Sequence, residues 1–203
     1  MSNETTEKKK LSTKEIVMIG MFGAISSVLM LLEISFPLIP SFIKFDFSEL
    51  PVILGGYMMG PVAGALIAFI KVALHFVLKG TSTMGVGELS NFMGSIFYML
   101  PSVLIYHKLR SKKGAAISLV IGTIFCSCCL LITNSFFIFP MYAKVFGMPM
   151  DAFVSMGSAV NPLVTSYFTL MLFSVFPFNL VKYGIISFLS FHMYKRLKHT
   201  LKL

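Results

Sequence analysis

The chain alternates long apolar runs with short polar or proline-containing breaks, and most of the runs are of membrane length. A helix needs about 20 apolar residues to cross a hydrocarbon core about 30 Å thick. Residues 16–34 meet that requirement and predict a first spanning helix, which Phe36, Pro37, Pro40 and Ser41 end. The connection that follows carries Lys44, Asp46, Ser48 and Glu49. A second apolar piece, 50–59, is short for a crossing, and Gly60-Pro61 separates it from a third span over 62–78. Proline suits the first turn of a new helix, so Gly60-Pro61 predicts a tight hairpin. A short, irregular second crossing is tolerated in lipid only where protein covers the backbone or a cavity is lined, which places a site nearby. A loop over 79–88, a fourth span over 90–106, a basic turn at 108–113, a fifth span over 115–139 ending at Pro140, a loop over 141–162 and a sixth span over 164–193 complete the pattern. The predicted fold class is an all-α integral membrane protein of about six transmembrane helices. It forms one membrane domain over 1–203, with a polar tail at 1–14 and a basic tail at 194–203. No internal repeat is evident, so an inverted-repeat architecture is not supported.

Composition agrees: the chain is 56% hydrophobic and 12% charged, with mean hydropathy +0.85, which excludes a water-soluble domain. A net charge of +9 would suit a nucleic acid, but its distribution follows membrane topology instead. Lys8, Lys9, Lys10 and Lys14 precede the first span; Lys108, Arg110, Lys112 and Lys113 fill one turn; Lys195, Arg196, Lys198 and Lys202 follow the last span. These three groups of four hold 12 of the 17 basic residues. With all three on the cytoplasmic side, the positive-inside rule requires an even number of crossings between neighbours. Four crossings and then two satisfy it, so both termini are expected in the cytoplasm. The loops at 37–49, 79–88 and 141–162 then lie outside, and they hold Asp46, Glu49, Glu88, Asn91, Asp151 and Asn161 at or near their ends. A polar site facing outward is expected. The polar start and the lack of a small-residue cleavage site predict that the first span is retained. Cys126, Cys128 and Cys129 match no zinc or haem spacing and read as soft packing residues.

Ionisable and amide side chains inside membrane segments are costly, so each is a functional candidate. Lys71 and His75 lie four residues apart on one face of the third span. Glu88 and Asn91 open the fourth, Asn134 lies late in the fifth, and Asn179 and Lys182 share the sixth. Each also has a purely structural reading. The lysines could snorkel or pair with Glu33, Glu49 or Glu88, and the asparagines could bond between helices. His75 could be a packing residue, and Glu88 a carboxylate favoured at a helix N-terminus. In the first span, Gly20 with Ala24 and Gly23 with Ser27 form small-xxx-small pairs, which allow close approach of a helix from this chain or from a partner.

The run Phe36-Pro37-Leu38-Ile39-Pro40, the stretch Lys44-Phe45-Asp46-Phe47-Ser48-Glu49-Leu50-Pro51, Gly60-Pro61, Lys71, Gly80-Thr81 and Val86-Gly87-Glu88-Leu89 resemble the RibU-type riboflavin-binding S components of bacterial energy-coupling factor (ECF) transporters. The resemblance covers most of the chain. It implies a six-helix S component of the bacterial cell membrane that captures riboflavin near its extracellular face under the loop between the first two helices. It implies no cofactor of the chain's own and no metal. Its partners would be membrane lipid, a transmembrane coupling subunit and two ATPases that supply ATP-driven energy. Asn134, Asn179 and Lys182 look like the family's polar ligand contacts, with Phe45, Asp46, Glu88, Asn91, Lys71 and His75 as further candidates. Gly20, Gly23, Ala24 and Ser27 occupy the region where the family's alanine-xxx-alanine face meets the coupling subunit.

Riboflavin suits an apolar pocket with a few converging amides and a lysine. Both arginines, Arg110 and Arg196, fall in the basic clusters, which argues against a phosphorylated cargo. Three rivals are weighed: an intramembrane enzyme, a stand-alone secondary carrier using Lys71, His75 and Glu88 as proton-relay groups, and an S component for another vitamin. No H-E-x-x-H, G-x-S-x-G or paired intramembrane aspartates support the enzyme. No Walker A sequence is present, so energy is expected from partners.

Overall fold

The computed structural model describes residues 11–35, 40 and 43–200, with side chains to 193. Lys8, Lys9, Lys10, Lys202, the 36–39 and 41–42 turn positions, and the side chains of Lys195, Arg196 and Lys198 lie outside what it describes. Five helical runs among the described residues are long and apolar enough to cross a membrane: Thr13–Leu31 (α1), Pro61–Lys79 (α3), Val86–Leu109 (α4), Lys112–Phe146 and Tyr167–Met193. A sixth crossing is built on Glu49–Met59 (α2), whose 11 residues span only about 16 Å at 1.5 Å per residue. Its buried face takes in Glu49, Pro51 and every residue from Val52 to Tyr57.

Local chemistry sets the boundaries. Ser12 and Glu15 form a capping box that starts α1, with Glu15 N–H donating to Ser12 Oγ at 3.2 Å and Ser12 N–H donating to Glu15 Oε2 at 2.8 Å. The expected hairpin at Gly60-Pro61 is present. Gly60 has φ +99°, a conformation glycine adopts without strain, and Pro61 begins α3. Ser111 caps the next helix by accepting from Gly114 N–H at 2.9 Å.

Several boundaries differ from the sequence expectation. The first span stops at Leu31, and Ile34–Ser35 (β1) pairs antiparallel with Lys44–Phe45 (β2), matching Ile34 to Phe45 and Ser35 to Lys44. The fifth span does not stop at Pro140. Lys112–Thr133 (α5) runs through a π-helical turn, Asn134–Ile138, into Phe139–Phe146 (α6). The wider turn accommodates the proline ring, because Phe139 N–H donates to Asn134 O five residues back. The stretch 141–162 is not a plain loop, since α6 continues into it and Met150–Ser158 (α7) follows. The sixth span opens with Tyr167–Leu170 (α8), passes a second π turn, Met171–Val175, and continues as Phe176–Thr200 (α9).

The core lies where α2, α3, α4, α5 and α9 meet, around Val52, Ile53, Ile67, Tyr98, Met99 and Val103. A second apolar cluster, including Phe139, Phe153, Leu170 and Val175, ties α6, α7 and α8 together at the other end. Val17 and Val28 on α1, Phe69 and Val77 on α3, and Phe136, Phe168 and Phe188 are exposed, apolar positions suited to lipid.

Candidate functional site

α2 is short, and the connection before it, which contains β2, packs into the bundle. Asp46 and Ser48 are buried there. The Ser26 hydroxyl donates to Ser48 O, and Ser48 donates both its N–H and its hydroxyl to Asp46 Oδ1. These bonds satisfy polar main chain that lipid could not. Asp46 is thereby fixed facing α9, and Lys182 Nζ donates to its Oδ2 at 2.7 Å. Burial pushes the Asp46 carboxyl up, but the Lys182 ammonium, helped by Lys71 and Ser48, outweighs this and holds it below the ordinary carboxylate value.

Around this pair is a cavity of about 510 Å³, within the usual range for small-molecule sites. All contributing segments lie at one end of the bundle: the end of α1, β2, the end of α3 and the turn after it, the start of α4, the end of α5, the two π turns, α6 and the start of α9. The turn with Lys108, Arg110, Lys112 and Lys113 is at the opposite end, between α4 and α5. Seven of the nine candidate ligand residues line this cavity: Asn134, Asn179, Lys182, Asp46, Glu88, Asn91 and His75.

The two asparagines are oriented by their own helices. Asn134 Nδ2 donates to Leu130 O at 2.7 Å, and Asn179 Nδ2 donates to Val175 O at 3.0 Å. Neither side chain bonds to another helix among the described residues. With Lys182 they present two amide carbonyls and an ammonium on one wall. On the other wall, Thr81 and Thr83 donate to Glu88 Oε2 at 3.1 and 3.3 Å, and His75 Nδ1 lies 3.8 Å from Glu88 Oε1. Both His75 ring nitrogens and Asn91 Oδ1 are buried without a hydrogen-bond partner among the described residues. Orphaned groups of this kind on a cavity wall suit a polar ligand.

Two candidates sit elsewhere. Lys71 is fully buried one helical turn deeper than His75, where its Nζ donates to Glu49 Oε1 and Ser95 Oγ, both at 2.7 Å. Ser95 Oγ in turn donates to Glu49 Oε1 at 2.8 Å. Lys71 thus holds α3 to α2 and α4 beneath the cavity and does not line it. Phe45 is also buried away from the cavity, packing edge-on to Phe47 at 5.0 Å and against Phe178.

The sequence reading left out Glu33, Lys79, Tyr142, Phe146, Phe178 and Tyr183, which also line the cavity. Tyr142 and Phe146 stack nearly parallel, 3° apart with centroids at 5.7 Å. Their i, i+4 spacing was a visible signal, concealed among 21 phenylalanines and by the assignment of 141–162 to a loop. Lys44 and Lys79 line the cavity too, Lys79 pairing with Glu33 at 2.6 Å. The cavity therefore has cationic groups although both arginines lie elsewhere in the sequence.

The α1 small-residue face divides. Gly23 and Ser27 turn inward, and a Cβ on Gly23 would come within 2.5 Å of Ile70 Cγ2 on α3. They are unavailable to a partner because α3 already occupies that face. Gly20 and Ala24 are exposed.

These features define a multi-pass membrane protein that can hold a solute at one end. The profile of the family described as "ECF transporter, substrate-specific component" matches residues 14–194, and the chain belongs to that family: it is a transport component, not an enzyme. It is 32% identical over 184 residues to "Riboflavin transporter FmnP" of Bacillus subtilis (strain 168), covering 90% of each chain. It is 30% identical over 191 residues to "Riboflavin transporter RibU" of Staphylococcus aureus (strain TCH60), covering 93% of each. Among solved structures it resembles the S component of a bacterial ECF transporter with TM-score 0.73 and 28% identity, covering 94% of this chain and 98% of that one.

Proposed function

We propose that this protein is the riboflavin-capturing S subunit of an ECF importer in the bacterial plasma membrane. The observation that carries the reading is the cavity wall of Asn134, Asn179 and Lys182 beside the aromatic pair Tyr142 and Phe146. Riboflavin has a flat tricyclic ring with an imide edge of two carbonyls and an N–H, and a tail of hydroxyls. The amides and the ammonium match the edge, the aromatic rings match the faces, and His75, Glu88 and Asn91 match the hydroxyls. Asp46 positions Lys182, while Lys71 and Phe45 support the site from behind. The riboflavin transporters at 30–32% identity support the same ligand.

Orientation follows from charge. With the turn at Lys108, Arg110, Lys112 and Lys113 in the cytoplasm, both termini are cytoplasmic and the cavity opens outward. Gly20 and Ala24 on α1 form the face that meets a transmembrane coupling subunit, which two ATPases drive; the remaining exposed apolar surface meets lipid.

The test is titration of ligand-free, detergent-purified protein with riboflavin, read by quenching of flavin fluorescence. Saturable one-to-one quenching in the nanomolar to low micromolar range is expected. Its absence from well-folded protein would remove riboflavin as the ligand.

A further inference from the structure

Both π turns sit immediately before a Phe-Pro pair, Phe139-Pro140 in one run and Phe176-Pro177 in the other. Proline brings no N–H, so each pair leaves a carbonyl one turn back short of its main-chain donor. In the first run Phe139 N–H donates to Asn134 O, and Pro140 has no N–H to follow it. The next carbonyl, Ser135 O, receives the Tyr167 hydroxyl at 2.8 Å. In the second, Phe176 N–H donates to Met171 O, and the stapled carbonyl lies one position further along than in the first: Pro177 withholds the donor that a regular helix would give Phe173 O. Asn161 Nδ2 donates there instead at 3.0 Å and reaches Ser174 Oγ at 3.3 Å. Asn161 is itself held, its Oδ1 accepting from Leu163 N–H at 3.0 Å.

The two stapled turns carry the cavity's amides. Asn134 is the first residue of one π turn, and Asn179 is bonded to Val175 O, the last residue of the other. Neither Tyr167 nor Asn161 lines the cavity. We propose that Tyr167 and Asn161 are positioning residues for ligand capture, donating to the carbonyls that Pro140 and Pro177 leave open and so fixing the π turns that aim Asn134 and Asn179 at the ligand. Without the staples the open carbonyls lose their donors and the π turns lose the contacts that fix their geometry, which frees the asparagines to turn from the cavity. This inference rests on the riboflavin reading above.

Tyr167→Phe deletes one hydroxyl at nearly constant volume. Asn161→Asp keeps the acceptor for Leu163 N–H and replaces the donor facing Phe173 O with an acceptor. Each is titrated with riboflavin by fluorescence quenching, alone and combined with Asn134→Ala or Asn179→Ala respectively. The loss of one neutral hydrogen bond predicts riboflavin affinity weakened by roughly three- to tenfold in Tyr167→Phe, and Asn161→Asp, which sets a carboxylate against Phe173 O, is expected to weaken it at least as much, each with a changed visible absorption band for the bound flavin. Acting through the asparagines, the staples should cost less than about twofold more once the matching asparagine is alanine. Unchanged affinity in both single variants, or a full additive loss in the double variants, would overturn the positioning role while wild-type binding still upholds the riboflavin reading. Loss of affinity accompanied only by a lowered melting temperature, with the bound spectrum and the additivity of an unrelated core defect, also counts against it. Wild-type protein that binds no riboflavin would overturn the underlying reading and this inference with it.

Discussion

Lys71 is fully buried in a membrane helix, where its ammonium nitrogen donates to Glu49 and Ser95. Removing one member of such a pair strands the other, at a cost of about 3 kcal/mol or more, whereas removing both charges is far milder. Lys71→Met is therefore expected to lower the melting temperature of ligand-free protein sharply, and Lys71→Met with Glu49→Gln to recover most of the loss, as measured by thermal unfolding in detergent. A single variant as stable as wild type would show that the pair does not hold α2, α3 and α4 together. Asp46 offers a pH test. Its carboxyl titrates below the ordinary carboxylate value of about 3.9, so the stability it contributes is fully present above that value and is lost as pH falls through its lower folded value. Asp46→Asn should cost roughly 2 kcal/mol, a gap constant from pH 8 to about 5 that narrows below about 4; a gap that already changes between pH 8 and 6 would contradict the pairing with Lys182. At this scale the sequence identified which groups matter better than what they touch. Lys71, Asp46 and Lys182 stand out because charge is rare in apolar runs. Asp46 and Lys182 are 136 positions apart, however, and no local spacing announces their contact.

On α1, neighbouring small residues face opposite directions, and this predicts opposite effects. Gly23 touches Ile70, so Gly23→Leu overpacks the α1–α3 contact and should destabilise the protein by about 1–3 kcal/mol. Beyond its own turn of helix, no heavy atom lies within 4 Å of the position a Cβ on Gly20 would take, so Gly20→Leu should leave stability and riboflavin affinity within about twofold of wild type. If Gly20 and Ala24 meet the coupling subunit, that substitution should nevertheless abolish uptake in cells that depend on this protein. Normal uptake with Gly20→Leu would move the docking surface elsewhere. The sequence indicated a small-residue face but not which half faces outward, because neighbours decide that. The same limit explains the other element-level differences. Long apolar runs, Gly60-Pro61 and the basic turn were legible because membrane thickness and backbone stereochemistry act locally. The continuation past Pro140 was not, since a proline ends a helix unless a π turn widens ahead of it, and the contact that Tyr167 makes with Ser135 O in that turn comes from 32 positions away. The α7 helix was hidden for a related reason: nine residues between prolines and glycines read as a connection until Phe153 is seen packing on Phe139.

The whole molecule is asymmetric along its long axis, and that asymmetry limits what the chain can do alone. One end holds the cavity. Directly beneath it Lys71, Glu49 and Ser95 close the space between α2, α3 and α4, and below them Tyr98, Met99 and Val103 are completely buried among α2, α4 and α5. Tyr98 is further tied to Ser187 on α9 at 2.8 Å, and Tyr57 to Ser118 on α5 at 2.6 Å. A flavin-sized solute cannot pass that interior without separating several helices, so the bound ligand should leave by the mouth through which it entered. Delivery through a component of this shape needs the helices to part or the protein to change its orientation, and its sequence holds no Walker A motif to drive either. Vesicles containing only this protein, given riboflavin outside, are therefore expected to show saturable binding at the outward-facing sites and no accumulation in the lumen, with or without a proton gradient. Adding a coupling subunit and its ATPases with ATP should convert binding into accumulation. Luminal riboflavin in vesicles carrying the chain and a proton gradient alone would instead make it a stand-alone carrier, and the His75–Glu88 pair on the cavity wall would become the first candidate for its proton relay.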